Sequence, residues 1–258
     1  MKKKINIPHY ALKVEHIIQI NTIGTKFIKF IDIKGKKYQE KTIKLFEFYF
    51  KDEEIINPIK LEEIIKNNIS NTKSYYLVLT SNKVEINYFK IPNNFFKNSN
   101  IFKSQVLEFL DTKNNYIFIR KNIRNKFITY RSISIPNNQY EAIRTIFLNL
   151  NIKIKEYILS GDYFNIKIKE KNQDIVILKR ELGMCLIYIY DGKLLVSEAN
   201  IRCNKDESFI INFSIYISNY EKKNTKKISK YYIIDSTKYI QSCFNTLDIP
   251  YEEIEYEK

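Results

Sequence analysis

Asp174 to Asn200 reads DIVILKRELGMCLIYIYDGKLLVSEAN. Three short strands are legible in it. Ile175 to Leu178 is an apolar run, Met184 to Tyr190 is a second, and Lys193 to Ser197 is the third. Asp191-Gly192 separates the last two. Asp and Gly both tolerate the positive φ that a tight type I′ turn demands, so the pair predicts a hairpin there.

Working outward, the same order of elements occurs earlier. Val14 to Asn21 is an apolar strand, Lys26 to Ile33 alternates, and Lys34-Gly35-Lys36 forms a turn. Tyr38 to Phe50 then reads as one long returning strand. Ile59 to Ile69 has helical spacing, and Tyr75 to Leu79 is the short buried kind of strand that parallel sheets use. After the 174–200 meander come a helix over Glu207 to Tyr220, a strand at Tyr231 to Ile234, a helix over Thr237 to Leu247 and a strand at Ile249 to Ile254. Each half thus runs as three antiparallel strands, then helix, strand, helix, strand. In the first half the series is interrupted. Val84 to Ile91 is a strand, Ile101 to Leu110 a helix, and Tyr116 to Ile119 and Phe127 to Ile135 are strands. The series then resumes with a helix over Gln139 to Leu150 and a strand over Ile152 to Ile158.

Composition narrows the class. With 258 residues and 44% apolar content the chain can bury a large core. Its net charge of +14 invites an anionic partner. The Lys residues are nevertheless scattered, and Lys, Asn, Ile, Tyr and Phe share A/T-rich codons, which inflates them together. A dedicated nucleic-acid surface is therefore not the expectation. The three cysteines, Cys185, Cys203 and Cys243, form no CxxC pair, so neither a disulfide framework nor a zinc site is indicated. The start, MKKKINIPHYALKVEHI, has no apolar core of the kind a signal peptide has. Leu182 to Tyr190 is the longest uncharged apolar stretch and falls far short of the about 20 residues that span a bilayer.

Several stretches carry a family resemblance. IQINTIGTKFIKFIDI at Ile18 to Ile33 lies where actin-like ATPases have an Asp-x-Gly phosphate loop followed by a strand with an Ile-Lys step, here Ile28-Lys29. VEINYFKIPNN at Val84 to Asn94 is similar to the strand that opens an inserted strand–helix–strand–strand subdomain, and Glu108 lies on the helix that follows. RSISIPNNQYEAIRTIFLNLNIKIKEY, SFIINFSIYISNYEKKN and LDIPYEEIE follow in the order of that family's later elements. The whole chain resembles the type IV pilus assembly protein family PilM and the cytoplasmic part of its type II secretion relatives, the GspL family. The lack of a span favours the PilM-like arrangement.

The resemblance implies an α/β, actin-like (ribonuclease H-like) two-lobed fold with an inserted SHS2-like subdomain. Residues 13–80 and 136–165 would form the first lobe, 81–135 the insertion and 166–258 the second lobe. It further implies a scaffold at the cytoplasmic face of the inner membrane. Its partner would be the cytoplasmic tail of a PilN-like bitopic membrane protein, docked in a groove between the first lobe and the insertion, alongside other pilus or secretion platform proteins. A basic surface would favour anionic lipid nearby.

Members of this superfamily grip Mg-ATP with Gly-rich loops, where backbone N–H groups approach phosphates, and with Asp residues that organise the metal. At the first loop the Asp position falls near Asn21, followed by a loop with one glycine, Gly24-Thr25. At the second, the Asp position falls at Leu178 and the Gly position near Arg180, with Lys179-Arg180-Glu181 in the turn. At the third, where a Gly-rich adenosine turn belongs, the chain has Asp235-Ser236-Thr237. All three loops are degenerate, which predicts a pseudo-ATPase with no catalytic residue, no metal and no cofactor. The alternatives are atypical ATP binding through Gly24-Thr25 and Lys179-Arg180, and a basic nucleic-acid-binding protein.

The remaining polar residues suggest no chemistry. His9 and His16 sit in or near the first strand with no Cys or carboxylate cluster beside them, and are expected to be surface tail residues. Asp235-Ser236 is expected to cap the helix beginning at Thr237. The many Tyr and Phe lie in strand and helix stripes, which predicts a core role over base stacking.

Overall fold

The computed structural model describes residues 15–34, 37–70, 72–92, 108, 110–124, 127–163, 174–181, 183–191, 194–203, 208–225, 227–234 and 237–254. Two five-stranded sheets dominate it. The first has β1 (His16–Asn21), β2 (Phe27–Lys34), β3 (Lys37–Lys44), β6 (Ser74–Thr80) and β10 (Lys153–Ile158), in the order β10-β6-β1-β2-β3. The second has β11 (Asp174–Glu181), β12 (Met184–Asp191), β13 (Leu194–Arg202), β14 (Lys230–Ile234) and β15 (Tyr251–Ile254), in the order β13-β12-β11-β14-β15. The orders are the same. In each, three antiparallel strands are followed by two parallel ones, β1 beside β6 and β11 beside β14. The repetition expected from the order of elements is thus a repetition of topology.

Helices supply the parallel crossovers. In the first half they are α1 (Pro58–Lys66) and α2 (Asn137–Asn149); in the second, α3 (Ser208–Asn224) and α4 (Lys238–Thr246). Asn57 starts α1, its side chain accepting from the Lys60 N–H at 3.3 Å, with Pro58 at the first helical position. Thr237 starts α4 by accepting from the Ile240 N–H at 3.4 Å. The cap is therefore Thr237, one residue beyond the expected Asp235-Ser236 pair, which lies outside the described residues.

Strand β12 shows why the middle of the molecule is so apolar. Cys185, Ile187 and Ile189 point into a core shared with Phe209, Phe213, Ile240 and Phe244 of α3 and α4. Leu186, Tyr188 and Tyr190, on the opposite face, join the core of the first sheet. A strand buried on both faces reads as a continuous apolar run, because successive side chains alternate between two dry environments.

Between β6 and α2 the chain builds a third sheet. Strands β7 (Glu85–Pro92), β8 (Asn115–Arg124) and β9 (Phe127–Pro136) pair antiparallel in the order β7-β9-β8. The helix expected over Ile101 to Leu110 lies outside the described residues, except for helical Glu108 and for Leu110.

Two expectations are corrected here. Tyr38 to Phe50 is not one strand. β3 stops at Lys44, a 3-10 turn covers Glu47–Tyr49, and a miniature hairpin of β4 (Phe50–Lys51) and β5 (Glu54–Ile55) follows. Phe46 and Phe48 imitate strand alternation in the sequence, yet they are 64% and 62% exposed and stack on each other at 5.5 Å. The β12–β13 register pairs Asp191 with Leu194, so Asp191 belongs to the strand and not to the turn.

Candidate functional site

Three places where the sheets meet could carry function. The first is the pair of loops expected to hold phosphate. Asn21 ends β1, is 4% exposed, and turns its Nδ2 onto its own loop. It donates to the Ile23 carbonyl at 2.6 Å and the Thr25 carbonyl at 2.8 Å. Thr22 joins the loop to β6, its N–H donating to the Thr80 carbonyl at 2.9 Å. Asn21 thus uses its donors to close a turn, and both carbonyls it meets are acceptors. Gly24 sits at φ +55°, and a Cβ built on it would lie 2.7 Å from the Met184 sulfur.

Met184 is the first residue of β12. Leu178 is fully buried and Lys179 is 9% exposed, both inside β11. Lys179-Arg180-Glu181 was expected in the turn, but the ladder continues through Arg180↔Cys185 to Glu181↔Met184. The strand therefore runs through Glu181, and Gly183 stands at φ +80° just before β12. An antiparallel pair keeps its ladder as long as a two-residue turn can close it, and Gly supplies the left-handed backbone required. The consequence is that Met184, 5% exposed, rests on Gly24, bringing the start of β12 against the β1–β2 loop. Neither a carboxylate nor a glycine-lined cradle stands at Asn21, Gly24, Leu178 or Lys179. These residues do not suit a triphosphate with its metal. Asp235 lies outside the described residues.

The second place is a buried polar junction that sequence reading missed. After β10 a tight turn, Ser160–Tyr163, presses on the second sheet. A Cβ on Gly161 would come within 2.8 Å of both Leu195 Cδ2 and Tyr188 Cδ1, so only glycine permits this approach. Ser160 Oγ donates to Glu198 at 2.8 Å and shares a hydrogen bond with the Tyr188 hydroxyl at 2.9 Å. The Gly161 N–H donates to the second Glu198 oxygen at 3.3 Å, and the Tyr190 hydroxyl donates to the Gly161 carbonyl at 2.8 Å. Glu198 as a residue is partly exposed, but its carboxyl is turned inward against these groups. Burial of that carboxyl pushes its pKa up to about 7, against the pull of the Ser160 and Gly161 donors. Beside it Arg131 of β9, 2% exposed, forks onto Asp162 at 2.5 and 2.7 Å. One junction therefore joins the three-stranded sheet, the first five-stranded sheet and the second. The signal available in sequence was slight: Ser-Gly-Asp directly after an apolar strand, in a chain with five glycines.

The third place is a groove of about 310 Å³ between β8 on one side and α2 and β10 on the other. Its wall is aromatic. Phe118 stacks on Tyr157 at 4.4 Å, and Tyr140 lies 5.7 Å from Tyr157 and 3.7 Å from Tyr116. Leu148, 63% exposed, stands among the lining residues, with the cations Arg144 and Lys155. β10 is the edge strand of its sheet.

His16 is corrected as well. It is a strand residue, 13% exposed, whose Nδ1 lies 2.6 Å from Asp32 across the β1–β2 pair. His9 lies outside the described residues. Among the described residues no group of His, Cys, Asp and Glu could hold a metal ion.

Two sheets of one topology, with a small third sheet inserted between β6 and α2, define an actin-like fold, and comparison with solved structures shows that fold. The structure of a PilM–PilN type IV pilus biogenesis complex aligns with a TM-score of 0.61 at 8% identity, over 93% of this chain and 87% of that one. A Bacteroides thetaiotaomicron protein with an actin-like ATPase fold and unknown function gives 0.54 at 12% identity, over 94% and 91%. The cytoplasmic domain of EpsL, an inner-membrane component of the Vibrio cholerae type II secretion system, gives 0.52 at 8% identity, over 94% and 85%. No protein-family model and no curated protein sequence matches the chain.

Proposed function

We propose that this chain is a non-catalytic scaffold of a type IV pilus or type II secretion-like assembly platform, docking the cytoplasmic tail of a PilN-like bitopic membrane protein. The observation that carries the non-catalytic half is the contact of Met184 with Gly24. A nucleotide held between two phosphate loops needs the space that this contact fills. Likeness in fold to the PilM–PilN and EpsL structures supports the docking half. In this reading residues 13–80 and 136–165 form one lobe, 81–135 the insertion and 166–258 the second lobe. The tail lies in the groove walled by Phe118, Tyr140 and Tyr157, where apolar side chains of the tail find aromatic surface. No helix among the described residues is long and apolar enough to cross a membrane, so attachment to the inner membrane would come through the partner, aided by anionic lipid.

The test is a titration with a synthetic peptide of the N-terminal cytoplasmic tail of a PilN-like bitopic membrane protein from the same genome. Binding is expected at micromolar concentration and is expected to weaken about tenfold in Leu148→Asp, which alters an exposed lining residue and leaves the core intact. Absence of binding at micromolar concentration overturns the docking reading.

A further inference from the structure

The hairpin of β4 and β5 is held in an unfavourable backbone conformation. Its two connecting residues, Asp52 and Glu53, have φ of +48° and +69°. Left-handed backbone at two successive non-glycine residues is disfavoured, and the turn type calls for Asn-Gly or Asp-Gly. What this geometry achieves is visible in the contacts of Glu53. One carboxylate oxygen accepts from the Ser81 hydroxyl at 2.8 Å and the Asn82 N–H at 2.7 Å. The other accepts from the Asn82 side-chain amide at 2.8 Å. The Glu53 carbonyl accepts from the Gln139 side-chain amide at 3.1 Å.

Glu54 acts alongside. It accepts from Lys83 Nζ at 2.7 Å and from the Asn138 side chain, and these hydrogen bonds hold its carboxyl below the ordinary glutamate range. Residues 81–84 carry the chain from β6 into β7, and residues 137–139 carry it out of β9 into α2. A single two-residue turn therefore grips both crossings between the first five-stranded sheet and the three-stranded sheet. The hairpin itself is anchored, since Phe50 and Ile55 are buried in the first core. Gln139 is 1% exposed and precedes Tyr140, which lines the groove.

We propose that the Asp52–Glu53 turn is a positioning clamp that fixes the pose of the inserted sheet on the first sheet and so sets the width of the groove between β8 and α2. The effect on a bound tail rests on the docking role proposed for that groove; the effect on pose does not. Glu53 holds the entry crossing through charge-assisted hydrogen bonds, which are stronger and more directional than neutral ones. Its main chain holds the exit crossing. The Arg131–Asp162 fork and the Phe118–Tyr157 stack also hold the insertion, and the turn adds a restraint on its tilt at both crossings.

The experiment is a spin-label distance measurement on the full chain, with labels at Thr112→Cys, next to β8, and Leu148→Cys, on α2. The native cysteines are buried and do not compete for label. The parent is expected to give one narrow distance distribution. Glu53→Ala is expected to widen it at least twofold, and Asn82→Ala, which removes a donor from the other side, to widen it in part. Asp52→Gly relieves the backbone without touching the carboxylate, and it is expected to leave the distribution narrow. A distribution unchanged in both Glu53→Ala and Asn82→Ala, with only thermal stability lowered, overturns the clamp. Tail titration on the unlabelled chain and on Glu53→Ala and Asn82→Ala alone, with Leu148 intact, separates the two proposals. A tail that fails to bind the parent counts against docking, and the distance result still decides the clamp.

Discussion

Arg131 and Asp162 face each other through both guanidinium ends, at 2.5 and 2.7 Å, in a junction where they are 2% and 8% exposed. Asp162 also accepts from the Leu159 N–H at 2.9 Å, so its carboxylate closes its own turn while it holds β9. Removing one partner leaves the other charge buried without compensation, whereas removing both leaves an apolar gap. Arg131→Met and Asp162→Leu are each expected to cost about 3–5 kcal/mol. The double variant is expected to cost clearly less than their sum. Urea unfolding of the four proteins measures this, and additive costs would contradict the coupling.

Glu198 makes the same junction sensitive to pH. An ordinary glutamate titrates near 4.5, and burial raises this one to about 7. Below pH 4.5 both folded and unfolded chains hold the proton, and the contribution is whole. As pH climbs toward 7 the unfolded chain releases the proton first, so this contribution is lost through the folded pKa. The loss is on the order of 1–3 kcal/mol. Arg131 and the Ser160 and Gly161 donors oppose the shift; Asp162 adds to it. Glu198→Gln, which cannot ionise, is expected to flatten the decline in melting temperature between pH 5 and pH 8. An unaltered slope in that variant would show that other groups carry it.

Asn21 gives a sharper discrimination. In a metal-organising loop an Asp at this position would be welcome. Here the side chain donates to two carbonyls, and Asp would set a carboxylate against both. Asn21→Asp is expected to destabilise by about 2–3 kcal/mol, the cost of buried acceptors left facing one another. Addition of Mg²⁺ is expected not to restore it. Recovery of the melting temperature with Mg²⁺ would show a latent metal site.

The hydrophobic pattern disclosed the architecture well because each meander is a set of short apolar or alternating runs broken by Gly-containing turns, and each crossover is a helix of adequate length. It misled where exposed aromatics copy that alternation, as Phe46 and Phe48 do beside buried Leu45. The position of the second loop slipped because a charged triplet, Lys179-Arg180-Glu181, reads as a turn although its backbone continues the ladder to Met184. The polar junction was out of reach for a different reason. Arg131, Asp162 and Glu198 are far apart in the chain, and only the stacking of three sheets brings them together. His16 and Asp32 were nearer to hand, since they face each other directly once the β1–β2 register is known.

The proposed non-catalytic role rests on the contact of Met184 with Gly24. Its most direct test is the thermal unfolding of the full chain across a Mg-ATP titration from micromolar to millimolar concentration. No change in melting temperature is expected at any concentration. A saturable rise, amounting to about 2.7 kcal/mol of stabilisation when ATP stands at about 100 times its Kd, would contradict it.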